Sequence, residues 1–205
     1  MEKEVHAEYP NLNFYEENST LFIRGSFPVK HDGEVLDRYS LEIEFPPGYP
    51  DSLPIVRETE GRIPRTKDFH IIDKTGVACL FVPDERSWIW PPGSSFLQFL
   101  NGPVYSFFLG QALVQLGQPW PFGQRSHGNK GILEFYTEKL QTTDTSTIVR
   151  YLDCLAKAQL KTYWECPCGS GRMIRECHSQ LQDLKSKIPR RVIKNSLDKL
   201  RPEQG

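Results

Sequence analysis

The hydrophobic pattern changes along the chain, and this change limits the fold classes open to it. Residues 20–29 are rich in β-forming side chains, and apolar and polar residues alternate over 38–45, so a β-hairpin is predicted here. Residues 46–54 contain four prolines and cannot continue a strand, and a short strand is predicted at 55–58. Later segments repeat apolar residues every three or four positions, as amphipathic helices do. Strands followed by helices predict an α+β domain with an antiparallel sheet.

The helical part of the chain is divided by turn-forming residues. Gly102-Pro103 is expected to kink or divide the first helix, which Ser94 or Ser95 can cap. Residues 61–92 show little periodicity, which predicts a long ordered loop. Long loops inside compact domains are often functional. The region before Thr20 is polar and weakly patterned. Helices are predicted at 94–116, 132–140, 143–160 and 180–200.

Charge and hydropathy exclude two classes of partner for the chain as a whole. The net charge of -1 gives no bulk attraction to nucleic acid or to an anionic membrane. The basic segment from Leu184 onward leaves a local contact with nucleic acid open. No apolar run approaches the ~20 residues of a membrane span, and the charged N-terminus does not resemble a signal peptide. A cytoplasmic protein is therefore expected, in which the five cysteines stay reduced as ligands, nucleophile or core.

Cys79 lies inside the predicted long loop, within Gly76-Val77-Ala78-Cys79-Leu80. Most free cysteines are small buried hydrophobes, so its neighbours decide how it is interpreted. Before it stand Phe45-Pro46-Pro47-Gly48-Tyr49-Pro50-Asp51-Ser52-Leu53-Pro54 and His70, and after it Trp88, Pro91-Pro92 and a helix. In order and spacing, these segments resemble the ubiquitin-conjugating enzymes over about residues 20–116.

The resemblance implies a UBC-like fold, with an antiparallel β-meander, a long active-site loop and helices. It also implies that Cys79 accepts a ubiquitin-like protein from an activating enzyme as a thioester and passes it to an amine on a target protein. His127, in the Gly-rich loop 117–131, and His70 are candidates for assisting Cys79, with a surface or structural histidine as the alternative. Tyr49 and Trp88 are candidates for positioning the substrate, with core packing as the alternative.

Three features depart from the family pattern. Ile71 stands where the family has an Asn that is thought to stabilise the oxyanion, and Ile cannot donate a hydrogen bond. His70 is one residue closer to the cysteine than the family's His. No N-terminal helix is evident before Thr20. With these departures, the chain resembles the conjugating-enzyme-like proteins of bacterial ubiquitin-like operons. This resemblance implies a role in antiviral defence.

A second motif predicts a metal centre. Cys166-Pro-Cys168-Gly-Ser-Gly-Arg-Met-Ile-Arg-Glu-Cys177-His178 resembles the SEC-C zinc motif over its whole length. Three thiolates and one imidazole complete a tetrahedral shell, so a structural Zn²⁺ is expected. The predicted domains are therefore a conjugating-enzyme-like domain at 1–142 and a helical segment at 143–205 that carries the zinc knuckle at 166–178.

Two other functions fit the same residues. The chain could be a catalytically inactive module of the same fold that binds a ubiquitin-like protein without a thioester, as the loss of the family Asn suggests. It could also be a zinc-knuckle adaptor whose N-terminal domain is a scaffold. Retention of Cys79 at the expected place favours the enzyme.

Overall fold

The computed structural model describes residues 1–72, 74–122, 125–126 and 128–201. The chain folds as two compact units. Unit 1 comprises Met1–Leu80 and Pro92–Gln124, and unit 2 comprises Phe81–Pro91 and Arg125–Gly205. The domain division predicted after residue 142 falls inside unit 2.

Unit 1 contains a six-stranded antiparallel sheet, with strands Leu12–Glu17 (β1), Thr20–His31 (β2), Glu34–Phe45 (β3), Ile55–Glu58 (β4), Ile71–Ile72 (β5) and Val77–Ala78 (β6). The strand order is β1-β2-β3-β4-β6-β5. The predicted strands are confirmed, and β2 and β3 form the predicted hairpin over residues 20–45, with each strand longer than the patterned segments at 20–29 and 38–45. Its register pairs Ile23 with Ile43, which places the alternating apolar side chains of both strands on one face.

The N-terminal segment is regular, which corrects the expectation that no helix precedes Thr20. Helix α1 spans Glu2–Glu8, and β1 follows it and pairs with β2. Val5 and Leu12 are fully buried, and the Tyr9 ring stacks on Phe27 with 4.9 Å between centroids. Three apolar anchors among polar residues are too sparse to give a periodic signal, so tertiary packing orders this segment.

The first predicted helix is divided as Gly102-Pro103 indicated. Helix α3 (Phe96–Phe99) continues through a π-helical turn at Leu100–Val104 into α4 (Tyr105–Gln115). The break is expected because Pro103 has no N–H to donate to the helical ladder. Ser95 caps α3, since its Oγ accepts the Gln98 N–H at 3.2 Å.

Helix α4 packs against one face of the sheet, on β2 and β3. Phe108 lies at this contact, with its ring 4.9 Å from Tyr39 and 6.1 Å from Phe27. All three side chains are fully buried. This aromatic layer fixes α4 on the sheet, and it therefore also fixes the loop segments that α4 contacts.

Unit 2 is helical. Its helices are α2 (Arg86–Ile89), α5 (Gly128–Leu140), α6 (Thr145–Leu155), α7 (Ile174–Cys177), α8 (Gln180–Lys187) and α9 (Arg190–Leu200). The single helix predicted at 180–200 was wrong, because the chain breaks at Ile188-Pro189, where the proline removes a donor. No helix in the described ranges is both long and apolar enough to cross a bilayer.

One hydrophobic core joins the parts of unit 2. Ile132, Tyr151 and Leu197 belong to it, and so does Cys166 of the metal motif. Cys154 is 6% exposed in the same core, as predicted. The metal motif is therefore part of the packed unit and not a separate appendage.

A buried hydrogen-bond network attaches residues 81–91 to the helices of unit 2. The Asp84 carboxylate accepts from Tyr136 Oη of α5 at 2.6 Å and from Ser196 Oγ of α9 at 2.8 and 2.9 Å. Asp84 is 2% exposed, and burial raises the pKa of its carboxyl above the usual value. The segment that follows Cys79 in the chain is thus held by the C-terminal helices.

Candidate functional site

Cys79 directly follows β6 at the end of the β5–β6 pair. The register pairs Ile71 with Ala78, and beyond it the Cys79 N–H donates to the His70 carbonyl oxygen at 2.8 Å. Gly76, in the connecting turn, has φ +69°. A Cβ there would lie 2.8 Å from the Glu58 carbonyl oxygen, so only glycine lets this turn approach β4 so closely. The cysteine is therefore held in an ordered backbone.

The Cys79 thiol is half-buried, and burial raises its pKa. The protonated thiol is consequently the main form at neutral pH, since thiolate formation is disfavoured in apolar surroundings. A thiol of raised pKa gives less thiolate, but each thiolate is intrinsically more nucleophilic.

His70 lies opposite Cys79 in the backbone pairing. Its φ of +55° places it in the left-handed region, which is uncommon for a non-glycine residue. The imidazole stacks on Trp120, with 5.5 Å between centroids and 25° between planes. Trp120 in turn lies against α4 at Gly110, where a Cβ would be 2.6 Å from the indole ring. The His70 ring is thus fixed by aromatic packing, and its predicted catalytic role stays a prediction.

Gln111 is a residue of this site that the sequence interpretation missed. It is 1% exposed on α4, and its Nε2 donates to the Phe69 carbonyl oxygen at 2.6 Å. The available signal was a glutamine within the otherwise apolar run of α4, where a buried amide must find a partner.

Ile71, which stands where the sequence resemblance predicts an Asn, is 2% exposed and pairs with Ala78, which is also buried. The next residue, Ile72, is 49% exposed, as the alternation of a strand requires. The position of Ile71 therefore faces the core, and the chain uses it for packing.

Tyr49 and Trp88, the two predicted positioning residues, lie in different units. The Tyr49 ring meets the edge of Phe45 at the end of β3, 4.9 Å away. Trp88 packs on Phe135 in unit 2, with 5.7 Å between centroids, and the ammonium groups of two lysines lie over its ring at 5.0 and 5.3 Å. Both contacts are those of packed aromatic side chains.

His127, the other predicted helper of Cys79, lies outside the described residues. Ser126, just before it, is bonded through its N–H and its hydroxyl to the Glu134 carboxylate at 2.8 and 2.6 Å. The role of His127 stays a prediction.

The four predicted metal ligands come together. Their ligand atoms all lie within 4.8 Å of one another. His178 Nδ1 is 3.3 Å from Cys166 Sγ and 3.2 Å from Cys177 Sγ, and the Sγ atoms of Cys168 and Cys177 are 3.5 Å apart. A tetrahedral zinc site has ligand–ligand edges of roughly 3.6–3.8 Å, given its usual bond lengths. The cluster could therefore hold one metal ion with only small adjustments.

Local backbone geometry builds this cluster. The Cys166 N–H donates to the Arg172 carbonyl at 2.8 Å, which closes a tight loop around Cys168. Gly169 and Gly171 have φ values of +83° and +71°, a conformation that glycine adopts without strain. Helix α7 then brings Cys177 and His178 back to the loop.

The pKa values of Cys166, Cys168 and His178 are shifted, and the shifts of Cys168 and His178 favour metal binding whereas that of Cys166 opposes it. Burial acts to raise the pKa of Cys168, but hydrogen bonds from Ser170 and from the other two thiols outweigh it and lower this pKa to about 6. Burial raises the pKa of Cys166 to about 12. Burial also lowers the pKa of His178, which keeps its imidazole neutral. One thiolate and one neutral imidazole are thus available near neutral pH, the forms that ligate a metal.

No family model, curated protein or solved structure matches the chain.

Proposed function

We propose that the chain is a transferase resembling the ubiquitin-conjugating enzymes, with Cys79 as the residue that carries a ubiquitin-like protein. The observation that carries this proposal is the placement of Cys79, partly exposed in an ordered backbone directly after β6. The order of elements also supports it: an N-terminal helix and a four-stranded meander precede the cysteine hairpin, and α4 follows. This is the order that the motif resemblance implies.

The proposed reaction has two steps. The Cys79 thiolate attacks the carbonyl carbon of the thioester on the activating enzyme, and the thiolate of that enzyme leaves as the Cys79 thioester forms. A target amine then attacks the same carbonyl carbon, the Cys79 thiolate leaves, and the amine loses a proton as the amide forms. Cysteine suits both steps because its thiolate is a strong nucleophile and a good leaving group.

The second candidate function is the inactive module that only binds a ubiquitin-like protein. Two observations favour it: Ile71 faces the core where the family would place an oxyanion donor, and the pKa of Cys79 is raised by burial. Such a module would bind its partner without a reductant-sensitive bond.

We also propose that Cys166, Cys168, Cys177 and His178 hold a structural Zn²⁺. Three sulfur ligands and one nitrogen ligand suit zinc, and a shell of four protein ligands leaves no open position for a reactant. When bound, the ion would cross-link the loop around Cys168 to the end of α7. Because Cys166 is buried in the core of unit 2, this cross-link would stabilise the whole unit.

The test uses ubiquitin-like proteins and activating enzymes sought among the neighbouring genes, with ATP. The enzyme proposal expects a covalent adduct that reductant releases and that Cys79→Ala abolishes. Cys154→Ala is the matched control, because it removes a buried thiol of unit 2 and should leave the adduct unchanged. Binding of the ubiquitin-like protein without any adduct would support the inactive module.

A further inference from the structure

We propose that Gln111 is a positioning residue for Cys79, which it holds through the backbone of Phe69 and His70. This inference rests on the proposed thioester chemistry of Cys79 and names a residue on which that chemistry depends. Nothing in the sequence motifs around Cys79 points to Gln111, which lies 32 positions further along the chain.

The first step of the argument is the burial of Gln111. Its side chain is 1% exposed, and neighbours on the same helix such as Phe108 and Ala112 are buried and apolar. A helix face that only needed to fill the core would carry an apolar residue here, because a buried amide must be hydrogen-bonded. Its Nε2 donates to the Phe69 carbonyl at 2.6 Å, so the amide has a specific use.

The second step concerns the two carbonyl groups that flank the His70 Cα. Gln111 fixes the Phe69 carbonyl, and the His70 carbonyl accepts the Cys79 N–H at 2.8 Å. The φ torsion of His70 lies between these two groups, and at +55° it is in the left-handed region. Such a torsion persists only when its surroundings hold it. Without the Gln111 donor, the torsion can relax toward negative values and the His70 carbonyl turns away from Cys79.

The third step is that α4 holds His70 from a second position. Gly110 leaves room for the Trp120 indole, and the His70 ring stacks on that indole. Two consecutive residues of α4 therefore act on His70, one on its ring through Trp120 and one on the preceding carbonyl. Phe108 fixes α4 on the sheet through its contact with Tyr39. The backbone that pairs with Cys79 is therefore held in place by the packed core of unit 1.

The experiment compares Gln111→Met, which has a similar volume but no donor, with Gln111→Glu. The probe is a synthetic peptide thioester ending in Gly-Gly, and its exchange onto Cys79 is followed by peptide mass mapping between pH 6 and 9. The introduced carboxyl can donate to the Phe69 carbonyl only while protonated, and burial raises its pKa. The exchange rate of Gln111→Glu divided by that of wild type should therefore be near one at pH 6 and fall as the pH rises.

We expect Gln111→Met to exchange about tenfold more slowly than wild type at every pH, as misplacement of a reacting group predicts. A pH-dependent ratio for Gln111→Glu beside a flat ratio for Gln111→Met would support positioning, since loss of stability alone does not produce this difference. Exchange by folded Gln111→Met within twofold of wild type overturns the inference. If Gln111→Met does not fold, a flat ratio for Gln111→Glu overturns it. Failure of both variants to fold also overturns it, because Gln111 would then be a folding residue.

A second probe separates this inference from the proposed function. If wild-type Cys79 does not exchange with the peptide thioester, the transferase proposal fails. Alkylation of Cys79 by iodoacetamide then decides the role of Gln111. If the alkylation rate of Gln111→Glu relative to wild type falls as the pH rises, Gln111 is still a positioning residue for Cys79. If this ratio does not change with pH, Gln111 has no such role. If wild type, Gln111→Met and Gln111→Glu all exchange with the peptide thioester at the same rate, the positioning role of Gln111 is refuted and the transferase proposal stands.

Discussion

Replacing Tyr136 by Phe should destabilise unit 2 by an amount that its hydrogen bond predicts. The Tyr136 hydroxyl donates to the buried Asp84 carboxylate at 2.6 Å, and the carboxylate also accepts from Ser196 Oγ and from the Asp84 backbone N–H. Hydrogen bonds to a charged group contribute about 1.5–3 kcal/mol, and the carboxylate stays buried when it loses this donor. We therefore expect the free energy of unfolding to fall by about 2–3 kcal/mol at pH 8.

The pH dependence follows from the direction of the Asp84 shift. Burial raises the pKa of Asp84 in the folded state, so the folded protein binds this proton more tightly than the unfolded chain. The group therefore costs stability as the pH rises through its folded pKa, and it costs little below its unfolded value of about 3.9. Tyr136→Phe removes a donor that lowers this pKa, so its effect should be larger at pH 8 than at pH 5.

Urea unfolding followed by tryptophan fluorescence measures this effect, because unit 2 contains Trp88, Trp90 and Trp164. The matched control is Tyr163→Phe, which deletes a hydroxyl from a side chain that is 61% exposed and should change stability by less than about 0.5 kcal/mol. A Tyr136→Phe protein as stable as the control at pH 8, or one destabilised more at pH 5, would contradict the reasoning.

Three further predictions concern the metal cluster, Trp120 and Ile71. Purified protein should contain close to one equivalent of zinc. Chelation of the metal, or the substitution Cys168→Ser, should unfold unit 2, which circular dichroism measures as a loss of helix signal. A zinc content well below one equivalent would contradict the proposed metal site. Gly110→Ala places a Cβ 2.6 Å from the Trp120 ring and should lower stability by about 1–3 kcal/mol, whereas Gly102→Ala, with open space at its Cβ, should cost far less. Ile71→Asn should destabilise unit 1 without speeding aminolysis of a preformed Cys79 thioester, because this position faces the core; a faster rate would show that the position can reach the oxyanion.

The sequence predicts those parts of the fold that depend on local pattern. The alternation of Tyr39, Leu41, Ile43 and Phe45 identified β3, and Gly102-Pro103 marked the π-helical turn. Helix α1 and strand β1 were missed because their order comes from contacts with distant residues such as Phe27. The prediction of a single C-terminal helix was wrong because Pro189, which lacks a backbone N–H, separates α8 from α9.

The two candidate sites differ in the same way. The grouping of Cys166, Cys168, Cys177 and His178 could be predicted because all four lie within a short segment whose spacing brings them together. The surroundings of Cys79 could be predicted only in part. The hydrogen bond from Gln111 to the Phe69 carbonyl depends on how α4 packs on the sheet, and neither residue spacing nor composition records that contact.

The central claim is that Cys79 carries a ubiquitin-like protein as a thioester, and intact mass measurement of Cys79→Ser tests it most directly. In the presence of the ubiquitin-like protein, its activating enzyme and ATP, wild type should gain the mass of the ubiquitin-like protein less one water and lose it with reductant. Cys79→Ser should gain the same mass as an oxyester that reductant leaves intact. An adduct that survives in Cys79→Ala, or no adduct on wild type beside a fully charged activating enzyme, would contradict the account.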